Sequence, residues 1–543
     1  MNLRRRWKHH DMDHPCSHGA RRPALAVLGL LAIVLAVLVP GCASVRFDAP
    51  RPPSYAIANP EDTFLGRSYV AQFGASPDLS GFHLLVSGKE AFIARAALAE
   101  AAERTLDLQY YIVAEDATAT LLLYRALSAA QRGVRVRLLI DDMYAVGRDF
   151  DMATLAAHPN VHIRVFNPFL NRGPLGISRL FEFFGDSDRL NRRMHNKLWI
   201  ADNAIGIVGG RNLGDTYFAA HGERDFADID VLAAGPVVVA VSRSFDEYWN
   251  SEWSVPVTAF LGQPPGAADL DRAMADMAAR AERFRETDYA RSLREVDLGR
   301  VMRGGQFPLS PARATVLYDP PAKPEAATSP QTGQIGVAMR KAILQARQEV
   351  ILISPYFIPS EQGLGGMCAL AGQGVRIRVL TNSLASTDVP VVHAGYARYR
   401  ARLLACGVSI HEFRPGTMRS AKVRTGLSSG ASLHSKAVVV DRKIVLLGSM
   451  NLDPRSRQGN TEVALLIESA DLGAQIGTQF LEAIALDQAF RVELAEPGDA
   501  LAPLVWIGEE RGQEVRYTAE PLAGWWRRFT SSLLGALAPE SML

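Results

Sequence analysis

The sequence predicts an α/β protein made of two duplicated domains. Each domain is expected to be a mixed β-sheet flanked by helices, and the two are expected to pack as a pseudo-two-fold pair with one shared active site. Two observations predict this fold. A polar motif occurs twice with identical internal spacing, at residues 195–212 and again at 434–451. The same order of strand, helix and strand comes before each copy, which indicates an internal duplication.

The composition is that of a globular protein of more than one domain. Of the 543 residues, 48% are hydrophobic and 21% are charged, which excludes a disordered or fibrous chain. There are 59 Lys and Arg residues against 57 Asp and Glu, so the net charge is close to zero. This balance creates no strong positive field over the whole chain, although it leaves local basic patches open, and we expect no nucleic-acid partner.

The first 42 residues have the layout of an export signal. A basic stretch that ends at Arg22 is followed by a nearly continuous apolar run, residues 23–40, and then by Cys42. This order predicts a signal peptide with a lipobox-like Cys42 that becomes lipidated, or else an uncleaved signal anchor. Either alternative attaches the chain to a membrane of the bacterial cell envelope, with the domains that follow on the periplasmic side.

The remaining cysteines suggest packing rather than chemistry. The spacing of Cys16, Cys42, Cys368 and Cys406 fits neither a zinc site nor a disulfide framework. The simplest expectation for Cys368 and Cys406 is two buried thiols, while an oxidising compartment would allow them to pair. Carboxylates with metal-ligand spacing are also missing from the sequence, so we expect neither a metal nor another cofactor.

The first domain is predicted at residues 81–254, after a tether at 43–80 that contains Pro and Ser. An amphipathic helical pattern at 91–104 is followed by a β-rich stretch at 106–112. A helix and a second strand, 133–141, come next. This order of strand, helix and strand predicts a parallel βαβ unit.

An apolar insert, residues 166–184, lies between this unit and the first motif copy. It is rich in Phe and carries Arg172 and Arg179. One interpretation is a lid that packs on the core. The other is an apolar lip that dips into a lipid surface with its Arg residues near the head groups. A basic run follows the insert and consists of Arg189, Arg192 and Arg193.

The second domain, predicted at 316–500, repeats the first after a helical linker at 255–315. Residues 373–380 match 132–139 almost position by position. The C-terminal segment, 501–543, ends in an aromatic and basic helix that includes Trp525, Trp526 and Arg527. It is expected either to dock on the protein or to face a membrane, because Trp and Arg together favour the interface.

Each motif copy combines residues suited to a phosphate ester. The first copy consists of His195, Lys197, Asp202, Gly209, Gly210 and Asn212, and the second of His434, Lys436, Asp441, Gly448, Ser449 and Asn451. Residues two apart on a strand share a face, so each His is expected beside its Lys. One such copy would be a weak signal, but two copies with equal gaps are highly specific.

This duplicated pattern, H-x-K-x4-D-x6-G-[GS]-x-N, resembles the signature of the phospholipase D superfamily over residues 81–540. The flanking segments 189–197, 226–236 and 387–396 are similar to those of the bacterial cardiolipin synthases, particularly the C type. The resemblance implies phospholipase D-like domains and phosphodiester chemistry through a phosphohistidine. It also implies a phospholipid substrate at a membrane surface.

The chemistry assigns a role to each catalytic residue. Lys197 and Lys436 would neutralise the phosphate, while Asn212 and Asn451 would donate hydrogen bonds to its oxygens. One imidazole would attack phosphorus, and the other would protonate the leaving alkoxide. The near-symmetric halves leave open which histidine attacks; family precedent favours His195 as nucleophile and His434 as acid.

Supporting roles fall to nearby acidic and hydroxyl groups. By resemblance, Asp228 and Glu462 match the carboxylates that orient the imidazoles, with Asp230 as a close competitor. The motif residues Asp202 and Asp441 are expected to fix the strand turns. Ser449 is a candidate auxiliary donor to phosphate.

The leading hypothesis is a membrane phosphatidyltransferase that makes cardiolipin from phosphatidylglycerol and a second phospholipid. The alternative is a phospholipase D-type hydrolase that yields phosphatidic acid. A nuclease or other phosphodiesterase fits less well, because the sequence has apolar inserts where a basic aromatic groove would be needed. The acceptor alcohol and the oligomeric state stay open at this point.

Overall fold

The computed structural model describes residues 45–46, 48–74, 78–145, 147–172, 182, 185–221, 225–323, 334–415 and 432–537. The predicted export signal, with Cys42, lies outside these ranges, as do Cys16 and Arg179. Among the residues that are described, no helix combines the length and the apolar character needed to cross a membrane.

The first half begins with strands and helices in alternation. Its strands are β1 (Ser80–Leu85), β2 (Thr105–Tyr110), β3 (Arg135–Asp141), β4 (Val161–Phe166), β5 (Leu198–Ala201), β6 (Ile205–Gly209), β7 (Phe226–Ala227), β8 (Asp230–Ala234) and β9 (Ser254–Pro256). Its helices are α1 (Phe64–Phe73), α2 (Gly88–Ala101), α3 (Ala117–Gln131), α4 (Asp149–Leu155), α5 (Ser187–Leu190) and α6 (Pro236–Trp249).

The segment between the halves is helical, with α7 (Ala267–Arg285), α8 (Asp288–Leu293) and α9 (Leu298–Arg303). The strands of the second half are β10 (Ser310–Tyr318), β11 (Glu349–Ile353), β12 (Arg376–Asn382), β13 (Ser409–Phe413), β14 (Ser432–Leu433), β15 (Ala437–Val440), β16 (Ile444–Gly448), β17 (Val463–Glu468), β18 (Ala489–Leu494), β19 (Leu504–Glu510) and β20 (Gln513–Tyr517). Its helices are α10 (Gln334–Leu344), α11 (Ser360–Gly372), α12 (Pro390–Ala405), α13 (Pro454–Gln458), α14 (Ala470–Ala483) and α15 (Trp525–Leu537).

Both halves contain the same mixed sheet. In the first, the order is β9–β4–β3–β2–β5–β6–β8–β1, with β2, β3 and β4 parallel and the other pairs antiparallel. In the second, the order is β18–β13–β12–β11–β15–β16–β17–β10, with β11, β12 and β13 parallel. The predicted duplicated α/β fold and its parallel βαβ unit, β2–α3–β3, are confirmed.

Strand β10 connects the two sheets. Its first residues, Ser310 to Ala312, pair with β1, and the remainder, Arg313 to Tyr318, pairs with β17. At the other edge of the second sheet, β19 and β20 add a hairpin to β18. Residues 504–517, which the sequence placed in the C-terminal segment, therefore extend this sheet.

Apolar side chains separate the two sheets. A central core takes Val208 from the first sheet and Leu447 from the second, together with Phe245 of α6 and Phe480 of α14. Buried residues of α14 recur at Leu472, Ile476 and Phe480, the spacing of one helix face. This shared core packs the two halves against each other, so that the two motif copies lie close together.

The described part of the insert favours the core-packed interpretation. Phe166 and Phe169 are buried. The guanidinium of Arg172 pairs with Asp142 and Asp149 inside the protein, so this Arg does not reach out to a head group. Two members of the basic run are also engaged internally: Arg189 pairs with Glu182 and Asp186, and the buried Arg193 pairs with Asp141.

Cys368 and Cys406 form a disulfide, with their Cα atoms 5.3 Å apart. The simplest expectation, two buried thiols, is therefore wrong, and the alternative of pairing holds. The bond links α11 to the residue that ends α12. Both elements are helices at the outer face of the second sheet, and their side-by-side packing brings together two cysteines that lie 38 residues apart.

Candidate active site

The two motif copies form matching β-hairpins, β5–β6 and β15–β16. Asp202 and Asp441 occupy the turns with positive φ, a conformation that Asp tolerates better than most residues. Asp202 accepts hydrogen bonds from the backbone N–H groups of Glu103, Arg104 and Thr105. Asp441 does the same for residues 347–349. Each carboxylate thus anchors its hairpin to the start of a neighbouring strand.

The strands begin just after the Lys of each motif, at Leu198 and Ala437, so the His and the Lys precede the strand on which the pattern placed them. The reason is a backbone contact across the pseudo-two-fold axis. The N–H of His195 donates to the carbonyl of Thr461 (2.9 Å), and the N–H of His434 donates to that of Ala227 (2.8 Å). Each histidine is therefore fixed by the opposite half and not by its own sheet.

The orienting carboxylates are also exchanged between the halves. Nδ1 of His195 lies 2.9 Å from Oε2 of Glu462, and Nδ1 of His434 lies 2.7 Å from Oδ2 of Asp228. A carboxylate at Nδ1 holds the proton on that nitrogen and leaves Nε2 free to react. The structure thus brings the predicted histidines and carboxylates together, in a crossed arrangement.

Glu462 sits in a pocket of hydrogen-bond donors. The hydroxyl of Ser449 donates to one carboxylate oxygen, and that of Ser456 donates to the other at 2.8 Å. Burial raises the pKa of Glu462 to about 7, although Lys197 and both hydroxyls oppose the shift. Burial, reinforced by the charges of Lys197 and Lys436, holds the pKa of His195 well below its usual value. His195 is therefore neutral at pH 7.

Asp228 has a different environment. Burial opposes its ionisation, but Lys436 and His434 outweigh that effect and lower the pKa of Asp228. Nζ of Lys436 lies 2.8 Å from Nδ1 of His434. Burial and Lys436 lower the pKa of His434, while Asp228 works in the opposite direction. The net effect is a lowered pKa for His434, less pronounced than that of His195, and the ionised Asp228 is the group that supports the imidazolium form that a general acid needs.

Both motif lysines are buried beside the histidines. Nζ of Lys197 donates to the carbonyl of His195 at 2.6 Å and lies 5.4 Å from the ring centre of Tyr111. Burial lowers the pKa of Lys197 well below its usual value and that of Lys436 to about 8. Burial destabilises the charged form of each lysine. A bound phosphate anion stabilises that form and so raises the pKa of the lysine.

The two asparagines differ in how they are held. The side-chain amide of Asn212 accepts from the N–H of Ile112 (3.1 Å) and donates to the hydroxyl of Tyr217 (2.9 Å). Asn451 is 4% exposed, and its side-chain oxygen is buried with no hydrogen-bond partner among the described residues. Their predicted role as hydrogen-bond donors to phosphate stays a prediction.

The difference between Gly210 and Ser449 has a steric basis. A Cβ on Gly210 would lie 2.5 and 2.6 Å from the carboxylate oxygens of Asp228, so only glycine leaves room for that side chain. In the second half, the Ser449 hydroxyl instead donates to Glu462. The donor that the sequence suggested for phosphate is therefore already used to hold the orienting carboxylate.

Asp230, the competitor of Asp228, has another partner. Its carboxylate lies 2.8 Å from NH2 of Arg95 and 3.5 Å from NH1 of Arg211. All three side chains are buried. Asp230 thus belongs to an internal ion-pair network below the hairpin, and Asp228 is the carboxylate that reaches the histidine.

Sequence reasoning missed the aromatic side chains around the histidines. Tyr111 packs edge-on against His195, with ring centres 5.2 Å apart, and Tyr217 does so against His434 at 5.3 Å. Phe226 also packs against His434, at 5.1 Å. Aromatic residues are common in protein cores, so nothing in their spacing marks them as part of a site.

Two charged residues at the site were missed as well. Tyr356 donates to both carboxylate oxygens of the exposed Asp388, at 2.8 and 2.9 Å. Asp388 is close enough to Lys436 to affect its pKa, and Arg455 is one of the charges that lower the pKa of His195. These residues lie outside the repeated motif, so the repeat gave no signal for them.

Away from the motif hairpins, His393, Glu412 and Glu520 form a group with the spacing of metal ligands. Arg400 bridges the two carboxylates, with NH1 2.8 Å from Glu412 and NH2 2.6 Å from Glu520. The guanidinium supplies the positive charge that a metal ion would bring, so this group is better described as an ion-pair network.

Two H-x-K hairpins that share one site across a pseudo-two-fold axis define a phospholipase D-superfamily enzyme. A solved phosphatidylserine synthase from Haemophilus influenzae Rd KW20 has the same fold, with a TM-score of 0.55 and 13% identity over 88% of this chain and 100% of that chain. The family described as cardiolipin synthase, PLD-like domain, matches residues 95–249 and 339–484. The chain therefore belongs to the cardiolipin synthase family.

Relatives of known name agree with this assignment. The chain is 38% identical to cardiolipin synthase C of Escherichia coli strain K12, over 86% of this chain and 97% of that protein. It is 25% identical to cardiolipin synthase A of Pseudomonas putida, over 77% of this chain and 72% of that protein.

Proposed function

We propose that this protein is a phosphatidyltransferase that joins phosphatidylglycerol to a second phospholipid and so makes cardiolipin. The observation that carries the proposal is the crossed pair of histidines, each oriented by a carboxylate of the opposite half. Such a site needs both halves, because neither contains both a histidine and the carboxylate that orients it. It supplies one nucleophile and one acid to a single phosphodiester.

In the first step, Nε2 of His195 attacks the phosphorus of the donor lipid. The P–O bond to the head-group alcohol breaks, and the proton on Nε2 of His434 goes to the departing oxygen. A phosphatidyl group remains bound to His195. The pKa of His195 is lowered more than that of His434, and His434 has the more readily ionised carboxylate, Asp228; both differences favour this assignment of roles over the reverse.

In the second step, a hydroxyl group of the acceptor lipid attacks the phosphohistidine. Its proton goes to Nε2 of His434, which now acts as base, and the P–N bond to His195 breaks. Lys197, Lys436 and the two motif asparagines offset the charge on the phosphate oxygens in both steps. Water in place of the lipid hydroxyl would give phosphatidic acid.

Product analysis tests the reaction. Detergent-solubilised protein is supplied with phosphatidylglycerol as the only lipid, and the products are separated by mass spectrometry. We expect cardiolipin and glycerol in equal amounts, with no turnover by the His195→Ala variant. Phosphatidic acid as the sole lipid product would instead make the protein a hydrolase.

We infer further that the catalytic halves lie on the periplasmic side of the cell envelope. The disulfide between Cys368 and Cys406 supports this location, because such bonds persist in oxidising compartments. The predicted signal with a lipidated Cys42 gives a route there. Incorporation of labelled palmitate that disappears in the Cys42→Ala variant would support the lipid anchor, whereas unchanged incorporation would contradict it.

A further inference from the structure

The C-terminal helix α15 presents an apolar face to solvent. Trp525 is 74% exposed, Trp526 60%, Phe529 53% and Leu533 47%. At 3.6 residues per turn, these four side chains fall within about 100° of the helix circumference. Single exposed apolar residues are ordinary, but a contiguous patch with two Trp side chains indicates an interaction surface.

The opposite face of α15 holds the helix firmly on the protein. Nε of Arg527 donates to the carbonyl of Leu384 at 2.6 Å, and its NH2 donates to that of Thr387. Ser531, one turn later, is only 5% exposed. The helix packs on α12 through this side, and these contacts fix the orientation of its aromatic face.

The same contacts connect the helix to the active site. Thr387, which accepts from Arg527, is followed by Asp388, and the carboxylate of Asp388 is held by the hydroxyl of Tyr356. Asp388 also acts electrostatically on Lys436 and on Tyr217. The helix therefore lies beside the second half of the site, with its aromatic face turned outward.

We propose that this face binds the surface of a phospholipid bilayer and thereby sets the mouth of the active site against the head groups. Trp side chains favour the boundary between head groups and acyl chains, because the indole has an apolar body and one polar N–H. The exposed Arg528 flanks the aromatic side chains and complements anionic head groups. The inference deepens the proposed function, since a lipid phosphate has to reach His195 from a bilayer.

Activity on two forms of one substrate tests this inference. The full chain and its Trp525→Ser/Trp526→Ser variant are assayed on vesicles of phosphatidylcholine and phosphatidylglycerol. They are then assayed on short-chain phosphatidylglycerol below its critical micelle concentration. We expect the variant to lose about tenfold or more in activity on vesicles, because two interfacial side chains are removed. Its activity on monomeric lipid should equal that of the wild type.

A matched control replaces exposed apolar side chains elsewhere. Tyr55 is 61% exposed and Leu501 is 94% exposed, and the Tyr55→Ser/Leu501→Ser variant should match the wild type on both substrates. Equal activity of the Trp variant and the wild type on vesicles would overturn the inference. If instead the wild type transfers no phosphatidyl group in either form, the proposed function fails, and the two failures are thus distinguishable.

Fluorescence gives a readout that does not depend on turnover. Of the seven Trp residues in the chain, Trp525 and Trp526 are the ones on this face. Vesicles that contain brominated phosphatidylcholine should quench wild-type emission, and the Trp525→Phe/Trp526→Phe variant should lose that quenching. Equal quenching in both proteins would contradict insertion. A shift from dimer to monomer in the Ser variant, without any change on vesicles, would assign the face to a subunit contact and overturn the proposal.

Discussion

The carboxylate of Asp228, in the first half, lies 2.7 Å from Nδ1 of His434, in the second half, although 206 residues separate them. The mirror contact joins Glu462 to His195 at 2.9 Å. Each half thus supplies the histidine of one pair and the carboxylate of the other. Duplication followed by this exchange makes the two domains interdependent, because a separated half retains a histidine with no orienting group.

Replacing either carboxylate by its amide should slow turnover strongly with little effect on binding. For Asp228→Asn we expect kcat to fall about 10³-fold, because the amide no longer stabilises the imidazolium of His434. KM should change little. Steady-state kinetics measures both constants, and Asp78→Asn, which alters a 72% exposed carboxylate, is the control. A loss confined to KM would indicate that Asp228 acts on substrate binding.

The assignment of nucleophile and acid predicts a trapped intermediate. With a p-nitrophenyl head group, departure needs no proton, so the His434→Ala variant should still form the phosphohistidine and then stall for want of a base. Acid-labile lipid label should accumulate on His195 and be located by mass spectrometry. The His195→Ala variant should take up none. Label on His434 in that second variant would reverse the roles.

Much of the fold could be predicted because it depends on patterns of residues that are close together in the sequence. Strand and helix periodicity repeats along the chain, and the equal spacing of the two motifs identifies matching hairpins. The fixed distance from each motif Asp to its strand also made Asp202 and Asp441 recognisable as turn residues. These features depend on residues close in sequence, and local sequence is sufficient to reveal them.

The features that were missed depend on contacts between distant residues. Asp228 was named by resemblance, with Asp230 as a close competitor, and only the contact of Asp230 with the buried Arg95 separates the two. Likewise, the Ser449 hydroxyl could face phosphate until Glu462 is seen beside it. The disulfide between Cys368 and Cys406 joins two helices whose packing cannot be inferred from spacing.

The activity should have a narrow bell-shaped pH dependence. Below about 7, Glu462 takes up a proton and no longer supports His195; above about 8, Lys436 loses its charge and binds phosphate less well. We expect kcat/KM to fall on both sides of this window. In the pH profile of kcat, the basic limb should lie at higher pH than in that of kcat/KM, because bound phosphate stabilises the Lys436 ammonium.

Ser449→Ala provides a matched test of the acidic limb. The Ser449 hydroxyl lowers the pKa of Glu462, so its removal should move that limb to higher pH while the basic limb stays in place. Glu462→Gln should remove the limb altogether, at a lower overall rate. An acidic limb unchanged in both variants would show that another group controls it.

Removing a buried ammonium should stabilise the fold while it abolishes turnover. Burial lowers the pKa of Lys197 well below its unfolded value, so the folded protein binds fewer protons than the unfolded chain between those two values, and stability rises with pH there. Over that range the cost of burying the Lys197 ammonium opposes folding. Lys197→Met should raise the free energy of unfolding by roughly 1–3 kcal/mol. Thermal unfolding of both proteins measures the change, and a lower melting temperature in the variant would refute it.

The disulfide should stabilise the second half without a direct role in catalysis. Closing a loop between cysteines 38 residues apart restricts the unfolded chain, which stabilises the fold by about 2–4 kcal/mol. The Cys368→Ser/Cys406→Ser variant should therefore unfold at lower denaturant concentration and keep its activity at low temperature. Dithiothreitol should lower the denaturant concentration at which half of the wild-type protein is unfolded, toward the value of the variant. It should leave the value of the variant unchanged. Equal denaturation midpoints for the oxidised and the reduced wild type would show that the bond contributes nothing to stability.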